Sequence, residues 1–197
     1  MSKMESSLKN MVLSLTLISL FASAALGFVY QFTREPIEMS ALNKKLDAVK
    51  QVVPEFTNNP NEEMMLLPTG EGDSLEVYPA KNGETLVGYA VKTYSNKGFS
   101  GYISMMVGFK PDLTIYNITV IEQKETPGLG TKMVPEGTPG APSFKDQFKD
   151  KNPATFTLKV KKDGGQVDAI TAATISSRAF CDAVQRAYYT LEKGGLK

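Results

Sequence analysis

Residues 10–33 carry no charged side chain and are dense in Leu, Ile, Val, Phe and Ala, with Lys9 and Arg34 at the two ends. No other feature restricts the fold as strongly. As a helix this run would be about 36 Å long at 1.5 Å per residue, enough to cross a hydrocarbon layer about 30 Å thick. Ala22-Ser23-Ala24 resembles a signal-peptide cleavage site, but the apolar pattern continues through Ala25, Leu26, Phe28, Val29, Tyr30 and Phe32. An uncleaved single-pass anchor in membrane lipid is therefore expected. Lys3 and Lys9 outweigh Glu5 before the run, whereas Arg34 is followed at once by Glu35. The positive-inside rule then predicts a cytoplasmic N-terminus, with the soluble part on the periplasmic or extracellular side of the inner membrane. Residues 1–36 read as the cytoplasmic end and anchor, and residues 37–197 as one extracytoplasmic domain.

Beyond the anchor, Leu42, Leu46, Val49 and Val53 recur at three- and four-residue steps, which predicts an amphipathic helix over 39–53 stopped by Pro54. Residues 64–67 suit either a strand or a partner-facing patch. Residues 75–78 and 85–94 read as strands around Lys81-Asn82-Gly83, and the Asn-Gly pair is a strong hairpin signal. A second pair, 102–109 and 113–121, flanks Lys110-Pro111-Asp112. Further strands are expected at 156–160 and 167–170, around Lys162-Asp163-Gly164-Gly165. Residues 134–142 are rich in Pro and Gly and read as a surface loop, and 144–148 as a short helix with Phe144 and Phe148 on one face. The expected class is α+β: one transmembrane helix, then one domain with an antiparallel sheet and flanking helices.

Composition narrows the chemistry. Lys and Arg number 22 against 21 Asp and Glu, so no global charge draws the chain to nucleic acid. There is no histidine, which removes histidine-ligated haem, histidine-based zinc sites and imidazole bases. The one cysteine, Cys181, can form neither an internal disulfide nor a four-cysteine cluster, and its helical setting suggests a small buried residue. Redox chemistry in this chain requires an organic cofactor.

The densest functional signal is residues 168–177. Ala172 and Ala173 have no bulk to obstruct a ligand, and four hydroxyls, Thr171, Thr174, Ser176 and Ser177, crowd one place. Ala179, Phe180, Ala183, Val184, Ala187, Tyr188 and Leu191 follow at helical spacing, so a helix begins near Thr174 or Ile175. Its first amides are unpaired and its dipole is positive there, which suits a phosphate. Thr174 or Ser176 as a simple helix cap fits the same residues. The second signal is residues 122–133, where Pro127-Gly128 prescribes a tight turn and Gly128 and Gly130 leave Leu129 projecting from backbone that a flat ligand can approach.

Both segments match known signatures. Asp168, Thr171, Ala173 and Thr174 fit the pattern Asp-x-x-(Ser/Thr)-Gly-Ala-Thr, and residues 125–130 reproduce Glu-Thr-Pro-Gly-Leu-Gly. Two signatures in the expected order, about 40 residues apart, make coincidence an unattractive explanation. The chain thus resembles the covalent FMN-binding domains of the C subunit of the Na⁺-translocating NADH:quinone reductase and the G subunit of the Rnf complex. Lys97-Gly98-Phe99-Ser100-Gly101-Tyr102 is similar to the glycine- and aromatic-containing strand start of the same family, a weaker match. Chain length favours the Rnf G subunit, since the C subunit usually carries a longer domain.

The resemblance implies an FMN joined through its phosphate to Thr174 by a flavin transferase, with Asp168 part of what the transferase reads. It implies that Thr171, Ser176, Ser177 and the amides after Thr174 surround the phosphate, with Ala172 and Ala173 also binding the cofactor. Glu125, Thr126, Gly128, Leu129, Gly130 and Thr131 would lie against the isoalloxazine ring, Thr126 and Leu129 being the nearest contacts. Lys132 adds a countercharge on spacing alone. Ala172 stands where the family usually has glycine, and is strained if the backbone there needs a positive φ. The implied role is electron relay within an Rnf complex, between ferredoxin and NAD and coupled to Na⁺ or H⁺ movement. Its partners would be the A, B, C, D and E subunits of that complex, and it would have no independent catalytic activity. No Gly-x-Gly-x-x-Gly follows a strand, so neither nucleotide is expected to bind here. The competing possibility is a membrane-anchored protein that captures a phosphate ligand noncovalently.

Overall fold

One helix, α1 (Leu8–Val52), opens the computed structural model, which describes residues 7–134 and 143–196. The loop expected at 134–142 therefore lies almost wholly outside the described residues. Where the sequence suggests an apolar span followed by a separate helix over 39–53, the chain winds on through Pro36 without a break. Interrupting a helix leaves up to four acceptors unpaired at one new end and up to four donors at the other, whereas an internal proline removes one hydrogen bond and strains one turn. Arg34 and Glu38 pair at 2.8 Å across it.

The chain divides into two compact units, residues 1–43 and 44–197. In the first, large apolar side chains such as Leu15, Phe21, Leu26 and Phe28 are exposed on every side of the helix. By length and composition this helix is long and apolar enough to cross a membrane.

The second unit is built on a five-stranded antiparallel meander in the order β1 (Met65–Pro68), β2 (Ser74–Asn82), β3 (Thr85–Gly98), β4 (Gly101–Phe109) and β5 (Ile115–Gln123). The stretch expected at 64–67 thus contributes a strand from residue 65. The β2–β3 hairpin pairs Asn82 with Thr85, one residue beyond the expected turn, and Gly83 turns the chain at φ 62°. Both faces of the sheet are covered. On one, Ala48, Val49 and Val52 from the end of α1 pack against Tyr78, Ala80, Ala90 and Met106. Gly108 makes this contact possible, because a Cβ there would run into the Val52 carbonyl. Asn117 Nδ2 donates to the Gln51 carbonyl at 2.8 Å and ties the helix end to β5.

The opposite face is covered by α2 (Thr174–Lys193). Its apolar stripe, Ala179, Phe180, Ala183, Val184, Ala187 and Leu191, is buried against β3 and β4 with Val77, Val91, Ile103 and Met105. Two polar pins fix its position: Thr93 Oγ1 donates to the Ala183 carbonyl at 2.9 Å, and Ser95 Oγ to Asp182 at 2.7 Å. Phe144 and Phe148, on a short 3-10 helix (Phe144–Phe148), close the end of this core against the Phe180 ring. Cys181 is buried there, and burial pushes its thiol up to about 12.

The strands expected at 156–160 and 167–170 do not form. Only an isolated bridge joins Val160 to Val167. Local bonds take up the backbone instead: Thr157 N–H donates to Gln166 Oε1 at 2.7 Å, and a 3-10 turn (Lys161–Asp163) ends at Gly164 in a left-handed conformation. The segment folds on itself, and its apolar side chains Leu158, Val160 and Val167 join the core from a loop.

Candidate functional site

Each of the two signature segments folds into the same local device. In the first, Leu129 N–H donates to the Thr126 carbonyl at 3.1 Å, with Pro127 and Gly128 at the corner and Gly128 at φ 73°. In the second, Ala173 N–H donates to the Ile170 carbonyl at 3.0 Å, with Thr171 and Ala172 at the corner and Ala172 at φ 59°. A positive φ at the third turn residue is the type II geometry, which suits glycine and strains alanine. Ala172 therefore occupies a position whose backbone calls for glycine, the residue the signature usually has there.

The two turns come together at the start of α2. Phe99, Glu125, Thr126, Leu129, Gly130, Ala172, Ala173, Thr174, Ile175 and Ser176 line one cavity of about 290 Å³. The helix begins at Thr174 with Ala173 as its cap residue, and no side chain caps it. The cap role open to Thr174 or Ser176 is filled by neither. The first amide bonded back is that of Ser177, to the Ala173 carbonyl at 3.0 Å. Among the described residues, the amides of Thr174, Ile175 and Ser176 have no acceptor, so three donors and the positive end of a 20-residue helix are left at the cavity.

The four hydroxyls, equivalent in the sequence, are sorted by the fold. Ser177 Oγ is buried; it accepts from Ile170 N–H at 2.9 Å, donates to the Ala173 carbonyl at 3.0 Å, and so braces the turn. Ser176, 2% exposed, donates through Oγ to Glu125 Oε2. Thr171 is exposed and outside the lining. Thr174 lines the cavity half-buried, and its hydroxyl takes part in no hydrogen bond among the described residues.

The remaining expected residues divide between wall and surroundings. Thr126, Leu129 and Gly130 form one wall together with Glu125. Gly128 and Thr131 support it from behind, Gly128 N–H donating to Thr131 Oγ1 at 2.9 Å. Lys132 does not line the cavity, and among the described residues no cation does. Asp168 lies outside it, exposed and paired with Lys161 at 2.7 Å. Two lining residues lie outside the expected contact set: Phe99, 68% exposed on the β3–β4 turn, and Ile175, 46% exposed. The glycine-bracketed sequence around Phe99 is the signal that points to the first.

A mostly apolar slot edged by free helix amides fits a flat aromatic ring system carrying a phosphate. Its volume sits at the lower end for ligand pockets, roughly 300–1,000 Å³, so a ligand of that kind would be gripped in part and left accessible in part. No three metal-binding side chains cluster among the described residues.

The comparisons with known proteins agree with this chemistry. Residues 98–189, from the end of β3 almost to the end of α2, match the FMN-binding domain. The chain is 31% identical over 192 residues to the G subunit of the ion-translocating oxidoreductase complex of Pseudoalteromonas atlantica, covering 93% of this chain and 89% of that protein. It is 34% identical over 186 residues to the same-named protein from Pasteurella multocida, covering 90% of each. With the G subunit of the Na(+)-translocating ferredoxin:NAD(+) oxidoreductase complex of Acetobacterium woodii it shares 31% over 196 residues, 92% of this chain and 91% of that one.

Proposed function

The chain belongs to the family of ion-translocating oxidoreductase complex G subunits, and from that membership we propose that it is a membrane-anchored electron carrier whose FMN is esterified through its phosphate to Thr174 Oγ1. When bound, the flavin supplies the redox chemistry, and the protein supplies attachment, orientation and electrostatics. The amides of Thr174, Ile175 and Ser176 receive the phosphate, with the helix dipole as the favourable field in a cavity lined by no cation among the described residues. Phe99, Thr126, Leu129 and Ile175 hold the ring on apolar surface and leave an edge open for electron exchange.

One observation carries the attachment site. Of the four hydroxyls in the motif, Thr174 alone both lines the cavity and is uncommitted among the described residues. A nucleophile already donating to a buried acceptor would have to break that bond first. Asp168, exposed and outside the cavity lining, is the residue we assign to recognition by a flavin transferase.

In the assembled complex this subunit relays electrons between other subunits, in a ferredoxin:NAD reaction coupled to Na⁺ or H⁺ movement. Its apolar helix holds it in the membrane, and the excess of Lys3 and Lys9 over Glu5 supports a domain on the periplasmic or extracellular side. The test is peptide mass mapping of the full-length protein after expression with a flavin transferase. An FMN adduct on the peptide containing Thr174, localised to that residue by fragmentation, is the expected result. An unmodified peptide from protein that releases free FMN on denaturation would replace the ester with noncovalent capture.

A further inference from the structure

Glu125 is the first residue of the Glu-Thr-Pro-Gly-Leu-Gly signature, and it is 5% exposed. Its two carboxyl oxygens reach two different elements. Oε1 accepts from Ser100 N–H at 3.0 Å, on the β3–β4 turn, and Oε2 accepts from Ser176 Oγ in the first turn of α2. The space for it is made by two glycines. A Cβ on Gly98 would stand 2.6 Å from Oε1, and one on Gly130 would stand 2.6 Å from Oε2. Three walls of the cavity, the Phe99 turn, the Glu125 loop and the start of α2, therefore meet on one side chain.

Stability alone does not call for this arrangement. A buried carboxyl costs free energy unless every oxygen is satisfied, and well-packed apolar side chains usually do as well in such places. What the carboxyl supplies is a fixed separation between two backbone segments. Phe99 depends on it: the ring is 68% exposed, so little packing of its own holds it, and its place is set by a turn whose Ser100 amide is anchored on Glu125.

We propose that Glu125 is a positioning residue for the flavin, holding the Phe99 ring at the distance from the start of α2 that clamps the isoalloxazine in the cavity. This rests on reading the cavity as the flavin site. Phe99 is the touching group, and Glu125 acts through it. An aromatic ring packs on a flat π-system by offset stacking or edge contact, and both depend on fixed spacing.

The test uses the full-length protein in detergent, expressed with the flavin transferase. Fluorescence of the denatured band reports attachment; fluorescence anisotropy and visible circular dichroism, each per attached flavin, report ring immobilisation. Glu125→Ala is expected to lower the anisotropy at least twofold and flatten the dichroism, with Phe99→Ala doing the same and the double variant going no lower. Glu125→Gln retains the clamp, because its amide oxygen accepts from Ser100 and its amide nitrogen donates to Ser176 Oγ. Wild-type anisotropy in Phe99→Ala, an exposed position where folding is safe, would overturn the proposal, as would additive loss in the double variant. Should Glu125→Ala not fold, Ser176→Ala and Phe99→Ala decide by the same readout. A dark wild-type band from protein that also releases no FMN on denaturation removes the flavin reading and this proposal with it; a fluorescent wild type with unaltered variants removes this proposal alone.

Discussion

Ser176 donates its hydroxyl hydrogen to Glu125, 51 residues earlier in the chain, and that bond joins the two signature segments. Both partners are buried, and the cavity lies where their elements meet. The joint also dictates the residue next to it: Gly130 is pressed between the Glu125 carboxyl and Ser176 Oγ, each 2.6 Å from where a Cβ would be.

Gly130→Ala should therefore force the joint apart. Overpacking of a tight site costs about 1–3 kcal/mol, and here the displaced atoms are a buried hydrogen-bonded pair. Thermal melting of the detergent-solubilised protein is expected to fall by several degrees, with flavin loading reduced in parallel. Wild-type melting and loading would show that the joint has slack.

Ala172→Gly is expected to act in the opposite direction. The residue sits at φ 59° in a type II turn, where a Cβ costs about 1–2 kcal/mol and glycine's extra unfolded-state entropy returns only part of that. A gain of about 0.5–1 kcal/mol should appear as a melting temperature raised by about 2 °C. An unchanged or lower value would mean that the turn bears no strain.

Glu76 links the end of α1 to the sheet, and its stability contribution should depend on pH. Burial pushes its carboxyl up, but hydrogen bonds from Lys45 and Tyr78 and the nearby Lys92 outweigh this and hold it at about 2. A carboxyl lowered on folding contributes stability fully above its unfolded value, near 4.5, and loses it as pH falls towards 2. With partial screening by solvent, the contribution at neutral pH is on the order of 1–3 kcal/mol. Denaturant titrations of Glu76→Gln and wild type should differ by that amount at pH 7 and converge as the pH drops below 4.5. A difference that stays constant to pH 3 would contradict the assignment.

What the sequence makes legible is what local chemistry decides. Asn82-Gly83 and Lys110-Pro111-Asp112 announce the meander, and Pro127-Gly128 announces the turn that forms there. The stripe from Ala179 to Leu191 sets which face of α2 is buried. Residues 156–160 and 167–170 mislead because short apolar runs look alike whether they pair as strands or enter the core from a loop. The apolar span and the amphipathic stretch over 39–53 differ in pattern and so read as two helices, although one continuous helix carries both. The motif points to Thr174, but the different roles of Ser176 and Ser177 are invisible in sequence, since they follow from partners as distant as Glu125. Phe99 is signalled by its bracketing glycines, but its place at the cavity follows only from the β3–β4 pairing.

Thr174 is the residue on which the proposed function depends, and fluorescence of the denatured gel band tests it most directly. Wild type and Thr174→Ala are expressed in full length with the flavin transferase, and both are run under denaturing conditions. A fluorescent wild-type band beside a dark Thr174→Ala band is the predicted result. Equal fluorescence in the two would place the ester on another hydroxyl and contradict the proposal.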